Sequence, residues 1–283
     1  MLRLFPFVLI GWLGLMLLPA AHAEIVSPQW LKDQLTDDQL LIIDVRETED
    51  FLASHVEGSV NLPPMSLFGE GYVMPPMDQL RELFSQLGVD HQRRVVAVDN
   101  GDFIWAARLY WVLETLGHDQ VYLLDTAWGG WEEGLLPLSQ TPTTPARREF
   151  IPMVNSERLQ TKLGTMAAIG RHPILDGRNE THYLGQESLA RRYGHIPTAL
   201  NYPCSQNYET TATGNRLRGL DVMAEVYAEL PKDQPIILYC DGGAEAALNY
   251  VVLQALGYQV AVYDGSWVEW GNDSALPVVN PSE

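Results

Sequence analysis

The chain has 283 residues, two cysteines and a formal charge of −18 at pH 7. An acidic protein is a poor partner for nucleic acid or anionic lipid, both of which call for a basic surface. Two cysteines cannot make a disulfide framework, and without a third among scattered histidines no Cys/His metal site is expected, so stability must come from apolar cores.

Met1 to Ala23 carries one basic residue, Arg3, an apolar stretch from Leu4 to Leu18, and the small-residue ending Ala21-His22-Ala23. This is the pattern of an export signal cleaved after Ala23, and its apolar run falls short of the roughly 18–20 residues that span a bilayer. Cleavage would leave 260 residues, enough for two ordinary domains, with a charge of −19 because the leader holds one Arg and no acid. No later segment is apolar enough to span a membrane, so no membrane attachment is expected after cleavage.

From there the chain reads as a pattern stated twice. The first half has a strand at Leu40–Val45 containing Asp44-Val45-Arg46, then His55-Val56-Glu57-Gly58 leading to Asn61-Leu62-Pro63, and a helix at Met77–Leu87. A strand at Arg94–Val98 follows and ends at Asp99, then a helix at Phe103–Leu116 stopped by Gly117, and a strand at Gln120–Leu124 before Trp128 and Trp131. The second half answers with a strand at Pro173–Leu175 before Asp176-Gly177-Arg178, His195-Ile196-Pro197 leading to Asn201-Tyr202-Pro203, and a helix at Leu220–Leu230. A strand at Pro235–Tyr239 then ends at Cys240, a helix runs over Ala244–Leu256 and stops at Gly257, and a strand at Gln259–Tyr263 precedes Trp267 and Trp270. The offset drifts from 132 residues at Asp44/Asp176 to 141 at Asp99/Cys240, as surface insertions in a duplicated domain would make it. Short aliphatic runs alternating with helical patterns predict an α/β fold with a mainly parallel sheet in each half. The domains are placed at 24–138 and 151–283, joined by a Pro- and Thr-containing linker over 139–150.

Cys240 closes an apolar strand and precedes a glycine pair and a helix. That puts the thiol at the carboxyl end of a parallel strand and the amino end of a helix, where unpaired N–H groups and the helix dipole favour an anion. Gly242 and Gly243 let the backbone curl around a single atom. A lowered thiol pKa and a reactive thiolate would follow. A buried, inert cysteine also fits that place, and position alone leaves both open.

The series Asp176-Gly177-Arg178, Gly194 to Pro203, Cys240-Asp241-Gly242-Gly243-Ala244-Glu245-Ala246 and Tyr263-Asp264-Gly265-Ser266-Trp267-Val268-Glu269-Trp270 resembles the rhodanese family. The resemblance covers nearly all of the expected mature chain. It implies two tandem rhodanese-like domains, the first non-catalytic with Asp99 where the cysteine would stand. It further implies a sulfurtransferase of the thiosulfate or 3-mercaptopyruvate type, in which Cys240 takes a sulfane sulfur from thiosulfate, 3-mercaptopyruvate or polysulfide as a persulfide and passes it to a thiophilic acceptor. The acceptor would be a small molecule or a protein, no metal or organic cofactor is implied, and export implies the periplasm.

The candidate site is thus Cys240 as nucleophile, with Asp241, Gly242, Gly243, Ala244, Glu245 and Ala246 around the persulfide. Arg178 and Arg191 are candidates to hold substrate. Two carboxylates in the loop, Asp241 and Glu245, would repel anionic donors and raise the thiol pKa. Arg191-Arg192 suits a substrate carboxylate by its planar guanidinium forks, or is a solvated basic pair. His55 and His195 read as loop-orienting, Asp44–Arg46 and Asp176–Arg178 as buried ion pairs, the tryptophans as packing, and Cys204 as a passive thiol or a resolving one. A cysteine phosphatase is excluded, because the arginine it needs six residues after the cysteine is Ala246. A rhodanese-fold binding or scaffold protein with a vestigial cysteine is the main alternative.

Overall fold

The computed structural model describes residues 23–126 and 135–283. The expected export signal, Trp128 and Trp131 therefore lie outside the described residues, Ala23 excepted.

The aliphatic runs form strands at the expected places. The first half contains β1 (Glu24–Val26), β2 (Leu40–Asp44), β3 (His55–Val56), β4 (Val60–Asn61), β5 (Arg94–Val98), β6 (Val121–Leu124) and β7 (Leu138–Ser139). The second contains β8 (Leu159–Gln160), β9 (Ile174–Asp176), β10 (Leu200–Asn201), β11 (Tyr208–Thr211), β12 (Gly214–Leu217), β13 (Ile236–Tyr239) and β14 (Val260–Tyr263). Five strands of each half make a wholly parallel sheet, in the orders β1-β6-β5-β2-β4 and β8-β14-β13-β9-β10. Each strand of one sheet has its counterpart at the same place in the other, so the repeat seen in the sequence is a repeat of topology. Gly117 and Gly257 both take the left-handed conformation that ends their helices, at φ 83° and 82°.

The helices Ile104–Thr115 and Ala244–Ala255 are buried almost all round, ten of twelve residues in each. A helix apolar on every side needs a partner on its outer face as well as a sheet beneath. Here each is the other's partner, and one continuous apolar cluster joins Val95, Trp111 and Leu113 of the first half to Tyr250, Val251 and Leu253 of the second. The segment read as a linker is strapped to the first half. Ser139 lies in β7, which pairs with β3, the Arg148 N–H donates to the Ser85 carbonyl, and Phe150 packs on Phe84.

No described helix is long and apolar enough to cross a membrane. Among the described residues no group of three or more His, Cys, Asp or Glu could hold a metal ion.

Candidate active site

In a parallel sheet the carboxyl ends of neighbouring strands share one edge, and β13 lies beside β9 and β14. That edge brings together Cys240 after β13, Arg178 after β9 and the Ser266–Asn272 helix after β14. Gly243 adopts φ 86°, and this left-handed residue turns the chain from strand to helix. Its N–H donates to Cys240 Sγ at 3.0 Å, and the N–H groups of Gly242 and Ala246 also favour charge on the sulfur.

The backbone of the cysteine is pinned from the next strand's loop. Ser266 Oγ accepts from the Cys240 N–H at 3.2 Å, the Trp267 N–H donates to the Cys240 carbonyl at 2.8 Å, and the Val268 N–H donates to the Asp241 carbonyl at 3.0 Å. The Ser-Trp-Val stretch is thus a clamp on the loop as well as core packing, a role its residue types alone did not reveal.

Cys240 is 1% exposed, and its thiol is pushed up to about 12 by burial first and by the Glu245 charge second, against the pull of the loop amides. The resting sulfur is therefore a thiol, where the helix terminus alone predicted a lowered pKa; desolvation outweighs the dipole. The two loop acids have different surroundings. Asp241 Oδ2 lies 2.7 Å from His182 Nδ1, and Oδ1 faces Arg178 Nη1 at 3.6 Å. Burial still raises the Asp241 pKa despite these partners. Glu245 stands in the first turn of the Ala244–Ala255 helix, and burial, Asp241 and Asp176 together push its carboxyl up to about 7.

Arg178 is fully buried and gripped by Asp176, through Nε at 2.9 Å and Nη2 at 2.6 Å, with its guanidinium 4.6 Å from the Trp267 ring centre. Burial opposes its charge, but Asp176 more than offsets this and raises its pKa. It is a structural ion pair that touches the loop through Asp241. Arg191 is exposed, its backbone N–H held by Asn272 Oδ1 at 2.9 Å, and among the described residues no contact joins its side chain to the loop. Arg192 is no solvated partner to it: its guanidinium donates to the carbonyls of Trp270, Gly271 and Leu276. His55 and His195 hydrogen-bond to the Phe51 and Tyr183 carbonyls. Cys204 is a buried free thiol whose pKa is raised by burial, then by Glu245 and Cys240.

The first half also reaches this loop, through residues that sequence reasoning missed. A side chain at Gly242 would meet Tyr72 Cβ at 3.2 Å, and one at Gly243 would meet Arg108 Nη1 at 2.7 Å. Arg108 is fully buried and pairs with Asp264 Oδ1 at 2.7 Å, while Asp264 Oδ2 accepts from the Met74 N–H at 2.6 Å. The available signal was Arg108, a charge in the middle of the largely apolar stretch Phe103–Leu113.

At the matching place in the first half, Asp99 fills its own loop. Its Oδ1 accepts from the N–H groups of Gly101 at 2.8 Å and Phe103 at 3.2 Å, and Oδ2 from Ala106 at 3.1 Å. Burial pushes this carboxyl up to about 6, against those three donors.

Comparison with known proteins agrees with this geometry. The model of the rhodanese-like domain matches residues 27–134 and 159–273. Thiosulfate sulfurtransferase of Azotobacter vinelandii is 27% identical over 266 residues, covering 90% of this chain and 96% of the relative. The 3-mercaptopyruvate sulfurtransferase of Escherichia coli K12 is 27% identical over 275 residues, covering 89% and 96%. Among solved structures, SseA from Escherichia coli superposes with a TM-score of 0.76 at 26% identity, over 86% of this chain and 98% of that one. The chain belongs to the rhodanese family, as two tandem rhodanese-like domains akin over most of their length to sulfurtransferases.

Proposed function

We propose that this protein is a sulfurtransferase that carries sulfur on Cys240. The observation that supports it most is the Gly243 N–H donated to Cys240 Sγ at 3.0 Å at a strand-to-helix turn, with the Gly242 and Ala246 backbone also favouring charge on the sulfur. Such donors hold the negative charge of a thiolate or persulfide in place, as an oxyanion hole does for oxygen. In the cycle, Cys240 attacks the transferable sulfur of a donor, breaking the S–S bond of thiosulfate or polysulfide or the C–S bond of 3-mercaptopyruvate. The donor remnant leaves, and a thiophilic acceptor, a small molecule or a protein, removes the sulfur. No cofactor takes part in this scheme. Asp241 to Ala246 form the persulfide cradle, Arg178 steadies Asp241, and Arg191 is placed to meet only a substrate portion that extends to the surface. With an export signal cleaved after Ala23, the reaction would take place in the periplasm.

A non-catalytic binding protein is favoured by one observation, the burial that leaves the thiol protonated at rest. Thiocyanate formation from cyanide with each donor separates the two readings. Turnover that disappears in Cys240→Ser supports the transferase; no turnover with any donor on folded protein supports the binding protein.

A further inference from the structure

The repeat lets the two halves be matched position by position at the sheet edge opposite Cys240. Ser27 caps the helix Pro28–Gln34 by accepting from the Trp30 N–H, and Thr161 caps Lys162–Ala168 by accepting from the Gly164 N–H, so Trp30 and Gly164 are counterparts. Ile25 of β1 pairs with Leu123 as Leu159 of β8 pairs with Val262, which makes Tyr122 and Ala261 counterparts one residue earlier. The N–H groups of Val95 and Ile236 donate to the Gln120 and Gln259 carbonyls, both at 2.9 Å, which does the same for Arg94 and Pro235.

In the first half these three positions form one unit. Trp30 stacks on Tyr122 with ring centres 5.0 Å apart, the Arg94 guanidinium lies 5.7 Å from the Trp30 ring, and the pair covers the cluster of Val26, Val96 and Leu124. In the second half Gly, Ala and Pro stand there instead. Gly164, Ala261, Pro235 and Ile237 line a cavity of about 930 Å³ at the amino ends of β13 and β14. That lies within the roughly 300–1,000 Å³ of small-molecule sites. The Gln160 side chain lies over Gly164 as one wall, its Oε1 accepting from the Thr161 N–H at 2.8 Å. Arg171 and His172 also line the cavity; both are exposed, and among the described residues no ion pair or hydrogen bond engages either side chain. Arg158 is turned to the Tyr250 ring, 5.9 Å away, and Glu157 is the one acid among the lining residues.

We propose that this cavity binds a small planar aromatic carboxylate. Its ring takes the place that Trp30 and Tyr122 fill in the first half, against the small residues Gly164 and Ala261 and the apolar side chain of Ile237. Its carboxylate meets the Arg171 guanidinium, whose planar fork suits it, with His172 beside it. The site is separate from the Cys240 chemistry and does not depend on it.

The test is calorimetric titration of the full chain with 2-naphthoate, with the uncharged ring 2-naphthamide, and with cyclohexanecarboxylate, an anion without an aromatic ring. Wild type is compared with Ala261→Tyr, which restores the first half's ring, and with Arg171→Glu. The expected result is saturable binding of 2-naphthoate to wild type with a Kd of about 0.1–1 mM. Ala261→Tyr should abolish it, and Arg171→Glu, or the exchange of naphthoate for naphthamide, should weaken it about tenfold. Binding that survives Ala261→Tyr, binding no tighter for naphthoate than for naphthamide or cyclohexanecarboxylate, or no saturation of wild type up to about 5 mM, would overturn the proposal. Should Ala261→Tyr not fold, the exposed change Arg171→Glu and the three-ligand comparison decide it alone.

Discussion

In the first half, the anion among the loop amides is the carboxylate of Asp99, held by Gly101, Phe103 and Ala106; in the second, the atom in that place is Cys240 Sγ, held by Gly243 and its neighbours. Each loop is also roofed by the other half. Tyr72 packs on Gly242, while Asn215 Nδ2 donates to the Gly101 carbonyl at 3.1 Å. The aspartates after the last central strands mirror this exchange: Asp264 takes the Met74 N–H, and Asp125 takes the Leu217 N–H at 2.8 Å. The same cradle therefore exists twice, closed once with a fixed side-chain anion and once with an atom that can accept a second sulfur. In both, burial raises the pKa against the amides, which teaches that the cradle orients an anion more than it lowers the cost of making one.

The sharpest way to break the symmetry is at the two mirrored aspartates. Asp264→Ala leaves Arg108 charged and fully buried without its partner, an effect of about 3–5 kcal/mol in denaturant unfolding. Next comes a pH effect on the closed cradle. The folded pKa of Asp99, about 6, lies above its ordinary value of 3.8, so the folded state holds the proton more tightly and the group's contribution to stability is greatest below pH 3.8. That contribution fades as pH rises to about 6 and is flat beyond. Unfolding of wild type and Asp99→Asn across this window should therefore swing in favour of Asn by on the order of 2–3 kcal/mol.

How much of this the sequence made legible depends on what each feature rests on. Parallel strands buried on both faces leave aliphatic runs, so β2, β5, β13 and β14 and the order of the two halves could be read directly. Cys240 was legible because a strand end, two glycines and a helix start are all local. The clasp of Arg108 on Asp264 was not, since it joins residues 156 apart across two domains. Nor were the different surroundings of Asp241 and Glu245, because two acids four residues apart across a strand-to-helix turn have no periodicity that fixes their directions. The expectation of a low thiol pKa came from the helix terminus alone; the depth of burial belongs to tertiary packing.

A smaller effect sharpens the comparison within the open cradle. Gly243→Ala places a side chain at φ 86° and 2.7 Å from Arg108 Nη1. It should cost about 1–2 kcal/mol from conformation alone and slow sulfur transfer, as unfolding and steady-state rates would report. The weakest is Asp125→Ala. Among the described residues its carboxylate meets a distant cation, Arg216 at 3.9 Å, and one backbone donor, so about 1 kcal/mol is expected, well below the loss at Asp264.

The central claim is that the open cradle holds a transferable sulfur atom and the closed one does not. Peptide-level mass spectrometry of the chain after exposure to a persulfide, before and after cyanide, tests it most directly. One added sulfur on the Cys240 peptide, discharged by cyanide, absent in Cys240→Ser and retained in Cys204→Ser, is the predicted result. Sulfur found on Cys204 alone, or on neither cysteine of folded protein, would contradict it.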